Sequence, residues 1–316
     1  MEQTFKIRKL DVPSTDGTHL LRGVLYEPDD PIAVFEIVHG MTEHIGRYDG
    51  FFRQLAEAGF AVVSYDQLGH GKTALDETEL GFMAERDGDR LLTDDVIAVG
   101  HAAKELYPAL PWILLGHSMG SFIARLAAAK IGAELAGLIL IGTAGGNPFA
   151  GFGLFLCKMV RLFGGTRKRP AFLSKAAFFG YEKMTEKRTD FDWLTHDRKL
   201  IDQYVADPLC GFRFTTAAMA DLFRLLKRCN ANAAFSAIPQ KLPVLLLYGT
   251  EDPVGAYGAG PEKVAENLCR TSHTDVIEVV CEGCRHEVLN DLNGAEWTAR
   301  ILAWSREKAE RAETTV

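Results

Sequence analysis

The chain predicts an open α/β fold, a mostly parallel sheet flanked by helices and interrupted by one large helical insertion. Three observations carry this. Short continuous apolar runs recur along the sequence, helical patterns alternate with them, and the alternation stops between residues 143 and 239.

The apolar runs are Ala33 to Val38, Phe60 to Tyr65, Trp112 to Leu115, Leu135 to Ile141, Val244 to Tyr248 and Asp275 to Val280. Unbroken Val, Ile and Leu mark strands covered on both faces, as in a parallel sheet. Tyr48 to Ala58, Asp89 to Leu106 and Met119 to Lys130 place apolar residues at helical spacing and supply crossovers, with Gly59 standing where the first helix should stop. Beyond Thr143 come a glycine-rich hinge (Gly142, Gly145, Gly146) and helical stretches over Phe152 to Phe163, Asp197 to Tyr204 and Thr215 to Cys229. The expected organisation is a core over residues 1–142, a helical cap over 143–239 and the second part of the core over 240–316. The polar tail from Arg306 to Val316 is expected to fray.

Composition narrows the function. The 35 basic and 42 acidic residues leave a net charge of −7 with no long basic run, so nucleic acid is excluded as a partner; Arg167-Lys168-Arg169 reads as a solvated loop. Met1 to Leu10 lacks the apolar centre of a secretory signal, and no run approaches the roughly 20 apolar residues of a spanning helix. The expectation is a cytoplasmic chain whose membrane contact would be peripheral. Six cysteines without framework spacing fit reduced thiols, and Cys281-x-x-Cys284 lacks a second pair for zinc, so it reads as structural. Oligomeric state is not encoded in any of these features.

The chemistry sits at strand ends. Trp112 to Leu115 runs into Gly116-His117-Ser118-Met119-Gly120 and then a helical pattern, which is G-x-S-x-G in its strand-turn-helix setting. This makes Ser118 the candidate nucleophile. A serine hydroxyl needs a positioned base, and the base needs a partner that fixes its tautomer. Leu245 to Tyr248 ends in Gly249-Thr250-Glu251-Asp252, and the following strand leads into Arg285-His286. Asp252 is therefore the expected acid, ahead of Glu251, and His286 the expected base, ahead of His273, which reads as a surface residue. His117 is expected to point away from the reacting edge. For the developing oxyanion, the backbone N–H of Met119 and that of Met41, in His39-Gly40-Met41-Thr42-Glu43-His44, are the expected donors.

At this point a resemblance enters. His39 to His44, Arg47-Tyr48, Tyr65-Asp66-Gln67-Leu68-Gly69-His70-Gly71 and the Ser118 elbow resemble the monoacylglycerol lipase and lysophospholipase group of the serine aminopeptidase S33 class, within the α/β-hydrolase superfamily. The match extends through Gly249 to Asp252 and His286-Glu287, and Asp192-Trp193-Leu194 and Asp207-Pro208-Leu209-Cys210 resemble bacterial members. The resemblance implies hydrolysis of a single-chain acyl glycerol or lysophospholipid without cofactor or metal. One position departs: Thr42 stands where a small residue, often glycine, is usual. Asp66, His70, His39 and His44 match the pattern as loop-holding residues, with His39 and Glu43 nearest the chemistry.

Two other classes remain open, an aminopeptidase that would use acidic residues such as Glu182 and Glu186 to hold an amino group, and a non-catalytic binding protein on the same fold. The stretch Phe152 to Phe163 is apolar nearly all round, broken by Lys158 and Arg161. It reads either as buried packing or as an acyl entrance resting on a membrane, with Leu154, Phe155 and Met159 contacting substrate.

Overall fold

The computed structural model describes residues 5–146 and 150–314. Residues 1–4 and 315–316, parts of the terminal stretches read above, and 147–149, just after the glycine hinge, lie outside it. The main sheet has eight strands: β1 (Phe5–Lys9), β2 (Gly23–Pro28), β3 (Ala33–Val38), β4 (Phe60–Tyr65), β5 (Trp112–His117), β6 (Gly137–Ile141), β7 (Val244–Gly249) and β8 (Val276–Cys281). Their spatial order is β1-β2-β4-β3-β5-β6-β7-β8. β1 and β2 pair antiparallel with their neighbours, and β4 through β8 form a parallel run.

The helices that flank the sheet each follow one of its strands. On one face lie α1 (Asp49–Glu57) and α10 (Gly294–Glu313); on the other lie α2 (Gly88–Leu106), α3 (Met119–Ile131) and α9 (Ala259–Arg270). The strand period of two divides the core accordingly: Val34 and Val38 of β3 pack toward α2 and α3, while Ala33, Phe35 and Ile37 pack toward α1 and Phe60. Gly59 takes φ +94 after α1, a left-handed turn that glycine adopts without steric cost. Between β6 and β7 come α4 (Ala150–Gly164), α5 (Ala171–Ala177), α6 (Arg198–Ala206), α7 (Thr216–Cys229) and α8 (Asn232–Ala237), with no strand among the described residues of this insertion. No described helix is long and apolar enough to cross a membrane.

The tail corrects one expectation. α10 runs through Glu313 instead of fraying from Arg306, because its inward stripe continues past the polar sequence: Trp297, Ile301, Trp304 and Ala309 are buried, and Lys308 Nζ donates to Asp275 Oδ2 at 2.7 Å. The basic triplet also has partners. Arg167 lies over the Phe82 ring, and Arg169 donates to the carbonyls of Thr78 and Leu80.

A buried ionic cluster joins the insertion to the core at the start of α2. Arg224 and Arg228 of α7 pair with Asp89, Arg224 also pairs with Asp221, and the Asp89 N–H donates to Asp221 Oδ1 at 3.2 Å. Asp221 Oδ2 has no partner among the described residues. Burial pushes its carboxyl from the ordinary 3.8 up to about 6, against the pull of Arg224. The folded state then binds this proton more tightly than the unfolded chain does. The associated stability is complete below the ordinary value and is lost as pH rises through about 6. Asp221→Asn, neutral at every pH, should match the parent near pH ~4 and gain on it progressively up to pH ~6, measured by urea midpoints. A difference that stays flat with pH would contradict this.

Candidate active site

β5 ends at His117 and the chain turns sharply into α3. Ser118 at the turn has φ 53 and ψ −121, a backbone state non-glycine residues rarely hold. The flanking glycines let it exist: a Cβ on Gly116 would strike the Gly120 carbonyl, and one on Gly120 would strike the Val38 carbonyl. The turn therefore presses β5, α3 and the end of β3 together, with Ser118 raised at the amino end of α3.

The loop after β8 brings His286 into the cavity that Ser118 lines, and the loop after β7 holds His286 from behind. His286 Nδ1 lies 3.0 Å from Asp252 Oδ2, and both side chains are buried. Asp252 Oδ1 accepts the Val254 N–H at 2.8 Å, which fixes the carboxylate plane. Glu251 turns elsewhere, its Oε2 lying 3.1 Å from His196 Nε2. Ser118, His286, Gly40 and Met41 line one cavity of about 660 Å³.

Two expectations about histidines are overturned. His117 lines the same cavity, its ring 4.9 Å from that of His286 and its Nδ1 2.8 Å from Tyr48 Oη. Strand alternation would have sent it away, but the positive φ at Ser118 ends the alternation there. His273 is buried, not on the surface; its N–H and its Nδ1 both meet the Leu268 carbonyl, closing the end of α9.

Glu43 organises the loop after β3. Its Oε1 accepts the Gly40 N–H at 2.6 Å and the Tyr48 hydroxyl at 2.8 Å, and its Oε2 pairs with Arg47. Arg47 reaches on to Glu287, the residue after His286, through its two terminal guanidinium nitrogens at 2.7 and 2.8 Å. Burial would push Glu43 upward, but the His117 contact and the Arg47 charge hold it well below the usual carboxylate range. His117 shifts upward in answer: burial lowers it, and Glu43 more than offsets that. His39 and Asp66 hold the next layer. Gln67 N–H donates to His39 Nε2 at 3.1 Å, and Asp66 accepts the Ile45 and Lys72 N–H groups. Burial against Phe212, Phe214 and His39 pushes His70 down to about 3, so its ring stays neutral.

Thr42 explains its own unusual identity. It has φ 53, the left-handed region where glycine is at ease. Here the insertion holds it: Tyr204 Oη donates to the Thr42 carbonyl at 2.9 Å and lies 3.0 Å from its hydroxyl, and the Gly211 N–H donates to the same carbonyl. Arg47 stacks over the Tyr204 ring at 4.8 Å.

The expected substrate contacts Leu154, Phe155 and Met159 lie outside this cavity. Gly153 and Cys157 of α4 face inward, Gly153 against Phe223 of α7, so Phe155 is turned outward and Leu154 packs on the core cluster. Met159 borders a separate shallow groove with Val160 and Phe163. The cavity is roofed instead by Phe178, Trp193, Leu194, Phe212, Phe214 and Met219. Sequence periodicity could not single these out, since most sit in loops of the insertion. Arg47 and Glu287 were visible only as motif positions without a role.

One group of metal-ligand type occurs among the described residues, His44, Asp207 and Cys210, with ligand atoms within 4.8 Å of one another. It does not suit a cation. His44 Nδ1 accepts the Gly46 N–H, so the neutral ring carries its proton on Nε2, which faces Asp207 Oδ2 at 2.9 Å. Burial also pushes the Cys210 thiol up, favouring S–H over the thiolate a metal needs.

The strand order, the strained serine turn and the buried histidine–aspartate pair together define an α/β-hydrolase. Residues 29–293 match the family described as serine aminopeptidase S33, and the chain belongs to that family. It is 28% identical over 292 residues to the monoacylglycerol lipase of Mycolicibacterium smegmatis, covering 89% of this chain and 93% of that protein. It is 27% identical over 305 residues to the monoglyceride lipase of Rattus norvegicus, covering 92% and 90%. Among solved structures, a highly thermostable carboxyl esterase from Bacillus coagulans in complex with glycerol superposes with a TM-score of 0.90 at 30% identity, over 96% of this chain and 99% of that one.

Proposed function

We infer that this carboxylic ester hydrolase cleaves single-chain acyl lipids, monoacylglycerols or lysophospholipids, through an acyl-enzyme on Ser118. The observation that carries the reading is that Ser118 and the Asp252-paired His286 line one cavity, together with aromatic and aliphatic side chains of the insertion. In this mechanism Ser118 Oγ attacks the ester carbonyl while His286 takes its proton. Asp252 holds the imidazole tautomer, and the Met41 and Met119 N–H groups receive the oxyanion. His286 then protonates the leaving alcohol, and water repeats the cycle on the acyl-enzyme. No cofactor or metal enters these steps. Residues 143–239 act as a cap over the acyl chain.

The relatives named above support the substrate class, and the cavity disfavours an aminopeptidase. Glu186 is taken up by Arg285 at 3.2 Å, and the rim carries Lys175, Lys187 and Arg213 beside Glu182 and Asp190, a poor receiver for a substrate ammonium. Rates across long-chain monoacylglycerols, lysophospholipids, short p-nitrophenyl esters and amino-terminal peptides test this. The single-chain lipids should be fastest; preference for peptides would overturn the reading.

The outer face of the cap supplies the route to such substrates. Phe152, Phe155, Leu162 and Phe163 of α4 are exposed, Phe163 at 85%, and Lys158 and Arg161 share the helix. Apolar side chains beside basic ones suit a peripheral contact at the headgroup boundary. Phe155→Ser with Phe163→Ser should lower liposome binding and long-chain turnover several-fold, leaving the melting temperature and short-ester turnover intact. Equal losses on both substrates would assign these residues to packing.

A further inference from the structure

Cap residue His196 stands between the two loops that carry the acid and the base. Its Nε2 lies 3.1 Å from Glu251 Oε2, beside Asp252 in the chain, and its Nδ1 lies 3.1 Å from Asp291 Oδ1. Asp291 is the other end of the link: its Oδ2 accepts the Arg285 N–H at 2.7 Å, one residue before His286, and its Oδ1 accepts the His196 N–H at 3.1 Å. The side chain of Asp291 is 1% exposed. The two loops also touch directly, through the Glu251 N–H and the Cys284 carbonyl at 2.9 Å.

The neighbouring backbone runs the same way. Glu287 N–H donates to the Leu194 carbonyl at 2.7 Å and His286 N–H to the Trp193 carbonyl, while the Trp193 ring lies 5.2 Å from the His286 ring. Buried Arg285 donates to the carbonyls of Asp192 and Thr195, its Nε lying 3.9 Å from Glu251. Thr195 Oγ1 donates to the Asn290 carbonyl at 2.8 Å. The segment from Asp192 to His196 therefore lies along the histidine loop as a splint, and only His196 bridges from it to the acid loop by side chain on both sides.

We propose that His196 is a positioning residue that sets the distance between the Asp252 and His286 loops by hydrogen bonding Glu251 and Asp291 through its two ring nitrogens. Each ring nitrogen faces a carboxylate oxygen, so a ring N–H on either arm donates and the carboxylate accepts. Loss of either arm lets the acid loop drift from the base. A small displacement there reaches Asp252 Oδ2 and His286 Nδ1, whose alignment governs proton transfer, and catalysis is steep in such displacements. The cap thus takes part in aligning the acid and base as well as in roofing the acyl chain. This rests on the assignment of Ser118, His286 and Asp252 above.

The test uses the full chain, a short soluble ester and a fluorophosphonate. His196→Ala should lower kcat and the rate of fluorophosphonate labelling at least tenfold, with KM within about twofold. His196→Gln, whose amide N–H groups can still donate to a carboxylate, should recover part of the loss. A folded His196→Ala enzyme with parental kcat and labelling rate overturns the proposal, as does a change confined to KM. Should His196→Ala fail to fold, Glu251→Gln decides: it keeps the volume and weakens one arm, and it should lower kcat several-fold, with parental turnover again overturning the proposal. An unsubstituted enzyme that hydrolyses no ester would instead overturn the functional reading, so the two failures are distinct.

Discussion

Ser118→Ala should abolish ester turnover, by about 10³-fold or more, and remove fluorophosphonate labelling while the protein stays folded. The size follows from the mechanism: without Oγ there is no acyl-enzyme, and only binding and the oxyanion donors remain to assist water. The fold should survive because the strain at this position belongs to the backbone. Alanine keeps the Cβ that already stands at φ 53, and the close packing of Gly116 and Gly120 is untouched. Melting temperature should therefore stay at the parental value. Stoichiometric labelling of the alanine variant would show that another residue is the nucleophile and would remove Ser118 from the mechanism.

The strands that build this site were legible because burial on both faces leaves a mark in composition. The runs Ala33 to Val38 and Phe60 to Tyr65 coincide with β3 and β4, and every residue in both is buried. β1 left no such mark: only Phe5 is buried, and the rest of Phe-Lys-Ile-Arg-Lys faces solvent on an edge strand. Candidates at strand ends were readable for a related reason. Ser118, Asp252 and His286 each lie in the loop that ends an apolar run, and loops at the carboxyl ends of parallel strands converge. The cavity roof was not readable, since Trp193, Phe212 and Met219 come together only through the folding of the insertion. α4 shows the converse failure. Its apolar surface was evident, but which side faces the core depends on Gly153 meeting Phe223, a contact between helices that periodicity cannot encode. His196 is the extreme case, an unremarkable histidine in a polar stretch whose two partners lie 55 and 95 residues further along the chain.

Asp252→Asn and His286→Ala should each lower kcat by roughly 10³-fold or more, with KM little changed, because both act on the reacting proton. The asparagine variant is the more instructive. Asp252 is fully buried, with Oδ1 occupied by the Val254 N–H and Oδ2 by His286 Nδ1 at 3.0 Å. The amide must keep its oxygen toward Val254, whose N–H is already aimed there, and so presents its NH₂ to the imidazole. That donor demands an unprotonated Nδ1 and drives the ring proton to Nε2, where it blocks acceptance of the Ser118 proton. Packing is preserved, so the loss should come with little change in melting temperature. Glu251→Gln provides the internal contrast: its carboxylate meets His196, not His286, so its several-fold loss should fall far short of that from Asp252→Asn. Equal losses from the two variants would mean that Asp252 has no privileged hold on the base, and retention of kcat within tenfold by Asp252→Asn would remove it from the acid's role altogether.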